Sequence, residues 1–118
     1  GAKIATGNYR GTGTCGSGSP NSLMFPFEPK IVFIANSQSV SDIGIFPCEA
    51  MSTSFDSYKY KLIYGSEVDI SSLSCARTHI YSDYTELEWY ANDRTGDPMA
   101  PRLQLNSANK TYYYVAIG

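Results

Sequence analysis

The sequence has little charge, a single histidine and no closely spaced pair of cysteines, and each shortage removes a class of function. Charged residues make up 17% of the 118-residue chain, below the usual quarter. Nine basic against eleven acidic side chains give a formal charge of -2, so no cationic field draws nucleic acid phosphates or anionic lipid. Nucleic acid is therefore not an expected partner. The longest apolar runs, Ile31 to Ala35 and Val115 to Ile117, fall far short of the roughly 20 residues that span a bilayer, and no membrane insertion is expected. Cys15, Cys48 and Cys75 lie far apart without a CxxC pair. That spacing suits neither a disulfide framework nor a zinc site completed by His79. The cysteines read as reduced, partly buried thiols, with one disulfide among them left open. Nothing local sets His79 beside a thiol, as a nucleophilic dyad requires.

A helical pattern is missing too. No stretch of ten or more residues repeats its apolar positions at 3.6, whereas short alternating or continuously apolar stretches lie between Gly, Pro, Ser and Asn clusters. The expected fold is all-β: an antiparallel β-sandwich in a single domain over residues 1–118, with a small barrel as the alternative. Strands are expected at Lys3 to Tyr9, Ser22 to Phe27, Lys30 to Ala35, Ile43 to Cys48, Tyr58 to Tyr64, Ala76 to Tyr81 and Tyr84 to Ala91. In the last of these, Thr85, Leu87, Trp89 and Ala91 share one side, and Tyr84, Glu86, Glu88 and Tyr90 share the wet side. Asn36 to Asp42, Ser66 to Ser74 and Asn92 to Pro101 read as loops. Arg102 to Asn106 is expected to pair with Thr111 to Ile117 across a turn at Ser107 to Lys110.

The motifs that carry chemistry elsewhere are weak here. Gly11-Thr12-Gly13-Thr14-Cys15-Gly16 has the GxGxxG letters, but Ser17-Gly18-Ser19-Pro20 follows where a dinucleotide site needs a helix start, so no cofactor is expected. Glu86 and Glu88 point the same way from one strand on a solvated face, which does not raise a carboxyl pKa for acid catalysis. Asp93, Gly96 and Asp97 lack the twelve-residue calcium pattern. No metal is assigned. Asn109-Lys110-Thr111 is a glycosylation sequon by letter only.

Two features are left over, and both point to binding. Leu23 to Phe27, Ile31 to Ile34 and Tyr112 to Ile117 place apolar side chains on both strand faces. A two-layer sandwich wets one face of each sheet, so the second apolar face needs a cover, and a homo-oligomer is expected to supply it. The other feature is tyrosine, of which there are ten. A tyrosine presents a flat apolar ring with a polar tip at low entropy cost, which suits sugars. The ligand-binding candidates are Tyr81, Tyr84 and Tyr90 for stacking, and Asn92, Asp93, Arg94 and Asp97 for hydrogen bonds to hydroxyls.

A family resemblance joins these features. Thr6-Gly7-Asn8-Tyr9-Arg10-Gly11-Thr12-Gly13, continued by Pro20-Asn21-Ser22-Leu23 and Phe27-Glu28-Pro29-Lys30, resembles the C-terminal tip domains of bacteriophage and prophage tail proteins. The closing Leu103-Gln104-Leu105-Asn106 and Thr111-Tyr112-Tyr113-Tyr114-Val115-Ala116-Ile117-Gly118 resemble the ends of tail-fibre and receptor-binding proteins. Together these segments cover about half the chain. The resemblance implies a β-rich, non-enzymatic receptor-binding domain of a tail fibre, commonly a homotrimer, that recognises a bacterial surface glycan. Its place would be the virion tail, after synthesis in the bacterial cytoplasm, and beginning at Gly1 the chain reads as a processed form or fragment. The alternative is a structural trimerisation or capping module without receptor contact. A glycan-degrading enzyme using Glu86 and Glu88 ranks below both.

Overall fold

Alternation and β-branching set the strands. In β3 (Ile31–Asn36) Val32, Ile34 and Asn36 turn into the core while Ile31, Phe33 and Ala35 turn outward. In β9 (Thr85–Ala91) every odd-numbered residue is buried and every even-numbered one half-buried, the sidedness expected from the sequence. The computed structural model describes residues 3–64, 67–69, 74–92 and 99–118. The other strands among the described residues are β1 (Ile4–Arg10), β2 (Asn21–Phe25), β4 (Ser39–Phe46), β5 (Asp56–Ser57), β6 (Lys61–Tyr64), β7 (Glu67–Asp69), β8 (Ser74–Ile80) and β10 (Thr111–Ile117), with a short 3-10 helix at Cys48–Ala50 and a short α-helix, α1 (Ala100–Leu103). A six-stranded sheet runs β1-β10-β3-β4-β6-β7 and a four-stranded sheet β2-β9-β8-β5, all pairs antiparallel. The two do not close into a barrel, so the sandwich expectation holds and the barrel alternative does not.

Aromatic rings fill the space between the sheets. Trp89 meets Phe46 at 5.0 Å and Tyr9 at 6.1 Å, Tyr9 stacks on Tyr112 at 5.2 Å, and Phe46 on Tyr60 at 4.6 Å. A buried tyrosine or tryptophan needs a partner for its polar tip, and one segment serves all four. Tyr60 donates to the Leu103 carbonyl (3.1 Å), Trp89 Nε1 to Gln104 (2.8 Å) and Tyr9 to Leu105 (2.8 Å), while the Tyr112 hydroxyl accepts from the Ser107 N–H (3.0 Å).

This segment is where the sequence expectation fails. Arg102 to Asn106 does not pair with Thr111 to Ile117. It forms the end of α1 and an irregular turn in which Leu105 takes φ 57°, and β10 instead inserts between β1 and β3. The alternation of Leu103 and Leu105 mimics a strand, but their carbonyls are committed to core aromatics rather than to a ladder. Arg102 also binds the buried Asp42 carboxylate, with its Nη2 2.7 Å from Oδ1, tying α1 to β4.

Three smaller corrections follow. Asn36 to Asp42 is not a loop: Ser37 and Gln38 make a tight turn with a register shift at Ala35/Asn36, and β4 already begins at Ser39. Polar turn residues hid a hairpin. The strand expected at Tyr58 to Tyr64 starts only at Lys61, since Tyr58 has φ 61° and leaves extended geometry. β7 lies within the Ser66 to Ser74 stretch read as loop. No disulfide joins the three cysteines, and burial pushes the Cys48 thiol up to about 12.

The glycine-rich segment after β1 is a stapled loop. Asn106 Nδ2 donates to Thr12 Oγ1 (2.8 Å) and the Thr14 carbonyl (2.9 Å), and its Oδ1 accepts from the Thr12 N–H (3.0 Å). Gln104 Oε1 accepts from Gly16 (2.9 Å) and Ala91 (3.1 Å), and its Nε2 donates to the Ser19 carbonyl (2.7 Å) and to Asn21 (3.0 Å). A Cβ on Gly11 would collide with the Ser107 carbonyl, so only glycine lets the two segments lie this close.

Candidate functional site

The β8–β9 hairpin builds an exposed pile of rings. Tyr81 donates its N–H to the Tyr84 carbonyl at 2.8 Å, which closes a tight turn around Ser82 and Asp83. Strand alternation then sends Arg77 and His79 outward from β8, opposite Glu88 and Glu86 of β9. The His79 and Tyr81 rings stack at 4.2 Å with 14° between planes, and Tyr81 and Tyr84 at 4.6 Å with 25°. Tyr81 is 41% exposed and Tyr84 37%. Their edges border a groove of about 340 Å³ whose walls include Lys3, Phe27, Glu28 and Asp83.

The polar groups around the stack are mostly engaged. Glu88 Oε1 accepts from Arg77 Nε (3.0 Å) and Nη2 (2.8 Å), and Glu86 Oε2 from the Ser22 hydroxyl (2.8 Å). Arg77 also lies over the Phe55 ring, 4.1 Å from its centroid. Partial desolvation holds the Tyr81 phenol above its usual range, reinforced by Tyr84, Glu86 and Glu88. Tyr81 is thus a neutral hydroxyl throughout ordinary conditions. Such a site offers flat apolar faces edged by hydroxyls and carboxylates, a lining on which a planar or ring-shaped polar ligand can stack.

Of the expected site residues, the structure brings Tyr81 and Tyr84 together and sets Tyr90 and Asn92 apart. Six residues of extended chain, roughly 20 Å, separate Tyr84 from Tyr90. Tyr90 packs edge-on against Phe55 at 5.0 Å, and a hydrogen bond with Cys75, then burial, raises its phenol. Asn92 Nδ2 points to Cys75 Sγ at 3.8 Å. Asp93, Arg94 and Asp97 lie outside the described residues. Comparison with protein-family models, with curated proteins and with solved structures found no match. Among the described residues no group of three His, Cys, Asp or Glu side chains is placed to hold a metal, and no helix is long and apolar enough to cross a membrane.

Sequence reasoning missed His79, Arg77 and Phe55. In the sequence His79 reads only as a candidate zinc ligand or thiol partner, yet its spacing of two from Tyr81 on a strand puts both rings on one face. Phe55 carried no such signal. It precedes a two-residue strand and reaches Arg77 and Tyr90 through tertiary packing alone.

Proposed function

We propose that this chain is a non-enzymatic, carbohydrate-binding adhesion domain, the receptor-binding tip of a phage-derived tail fibre that its terminal segments resemble. The observation that carries the reading is the exposed stack of His79, Tyr81 and Tyr84. Parallel rings at a hairpin tip contribute little to the core, whereas a bacterial surface glycan can lie against them. The two segments behind the resemblance also meet in space, as Gln104 and Asn106 staple the loop from Thr12 to Asn21. They act as scaffold, which leaves the hairpin tip for recognition.

The same proposal includes a homo-oligomer, a trimer in keeping with the resemblance. Outward positions of the large sheet bring Ile4 opposite Ile117, Val115 opposite Phe33, Phe33 opposite Ile45, and Ile43 opposite Ile63. Ile4 is 65% exposed and Tyr113 55%. The apolar outward residues of β10, β3 and β4, strands about 4.8 Å apart, with Ile4 and Ile63 on the flanks, make a patch of a few hundred Å². A patch of that size can form the apolar centre of an interface whose polar rim makes up the rest of the ~800 Å² each partner contributes. Among the described side chains of this face, charge stands at the margins, on Arg10 and Lys61, so a second copy of this chain suits the face better than a charged partner. This face also favours the second reading, a capping module without receptor contact.

An array of bacterial surface polysaccharides separates the two readings. Binding by the wild-type chain, weakened roughly tenfold or more in the Tyr81→Ala, Tyr84→Ala double variant (about 1.4 kcal/mol or more), supports recognition. Oligomerisation without retention on any polysaccharide leaves the capping module.

A further inference from the structure

A cleft opens beside the β8–β9 turn, and two buried threonines line it. Thr78, Ile80 and Thr85 share the inward side of the small sheet. Together with Lys30, Glu49 and Met51 they line a cleft of about 570 Å³, within the roughly 300–1,000 Å³ of small-ligand sites. Thr78 is 9% exposed and Thr85 3%. The Thr78 N–H is bonded to the Ser52 carbonyl at 3.0 Å, but neither threonine hydroxyl has a hydrogen-bond partner among the described residues. No buried polar side-chain atom there is left unsatisfied, so both hydroxyls keep some open surface, and both residues line the cleft.

The lining selects a neutral polyhydroxyl ligand. Lys30 is outnumbered by Glu28 and Glu49 on the rim, so an anionic ligand is disfavoured. Met51 and Ile80 supply apolar contact, and the threonines offer groups that both donate and accept. The cleft shares Glu28, Ile80 and Thr85 with the groove beside Tyr81 and Tyr84, so one occupant can extend through both. Building on the carbohydrate reading above, we infer that the terminal sugar residue of the glycan enters this cleft. It bonds Thr78 and Thr85 while the following residue lies on the tyrosine stack. The stack supplies sequence-tolerant affinity, and the cleft reads which sugar ends the chain.

The test is amide chemical-shift mapping on isotopically labelled protein titrated with methyl glycosides of glucose, galactose, mannose and N-acetylglucosamine, and with their β-linked disaccharides. We expect at least one probe to shift Thr78, Ile80 and Thr85. The Thr78→Val, Thr85→Val double variant, of nearly the same shape, should weaken that probe roughly tenfold, and Thr85→Ser should retain most of the affinity. Shifts confined to Tyr81 and Tyr84, with undiminished binding by the valine variant, would overturn the cleft and leave the stack as the site. The absence of shifts with every probe would overturn the cleft and the carbohydrate reading together.

Discussion

The two outer faces of this sandwich come from strands of similar length and the same pairing rules, yet they carry opposite chemistry. On the large sheet the outward residues of β3 and β10 are Ile31, Phe33, Ala35, Thr111, Tyr113, Val115 and Ile117, with no charge among them. On the small sheet they are Ser22, Met24, Arg77, His79, Glu86, Glu88 and Tyr90, joined by an ion pair and a hydroxyl–carboxylate bond. Both sheets share one aromatic core, so folding alone does not account for the difference. A face meant for water can carry ionic groups at little cost, whereas one meant for another protein is best left without charges to desolvate.

The harshest way to break the comparison is to undo the joint that sets the faces back to back. Gln104→Leu removes the acceptor of the buried Ala91 N–H and both side-chain donations of Gln104. Each orphaned buried group costs roughly 1–3 kcal/mol, so urea denaturation should show a loss of about 3 kcal/mol or more, with the proposed glycan binding and self-association failing together. A narrower cut is Val115→Lys, which places a charge in the middle of the apolar face between Thr6 and Phe33. Sedimentation equilibrium should show self-association weakened roughly a hundredfold, about 2.7 kcal/mol, with the isolated subunit's stability changed by less than about 0.5 kcal/mol. Glu86→Ala on the opposite face should leave association unchanged. Equal effects from the two substitutions would remove the distinction.

Legibility in the sequence followed the source of each feature. Where a strand is defined by its own side chains, as in Ile31–Asn36 and Thr85–Ala91, β-branching and alternation located it to within a residue or two. The surplus apolar face was legible for the same reason, because alternation assigns sides before any partner is known. The segment from Ala100 to Asn106 was not, since its shape is dictated by four aromatic tips arriving from β1, β6, β9 and β10. Of the site, Tyr81 and Tyr84 could be named, but grouping them with Tyr90 ignored the length of β9. Thr78 and Thr85 gave no signal. A threonine inside a strand becomes notable only when its hydroxyl is seen to lack a partner.

The gentlest test concerns the ion pair on the small sheet. Arg77 and Glu88 keep 35% and 17% of their side-chain surface in water, and exposed pairs contribute about 0.2–1 kcal/mol. The Phe55 ring under the guanidinium adds a cation–π term of about 0.5–1 kcal/mol at a site this wet. Arg77→Ala should therefore cost about 1 kcal/mol in thermal or urea unfolding, with part of the loss masked at high salt as ions screen the pair. Arg77→Lys keeps the charge but not the two-point contact with Oε1, and it should recover only some of the difference. The magnitude tests the comparison itself. A loss above about 3 kcal/mol is the signature of a pair broken in a dry interface, and it would mean that the small sheet faces another protein rather than water.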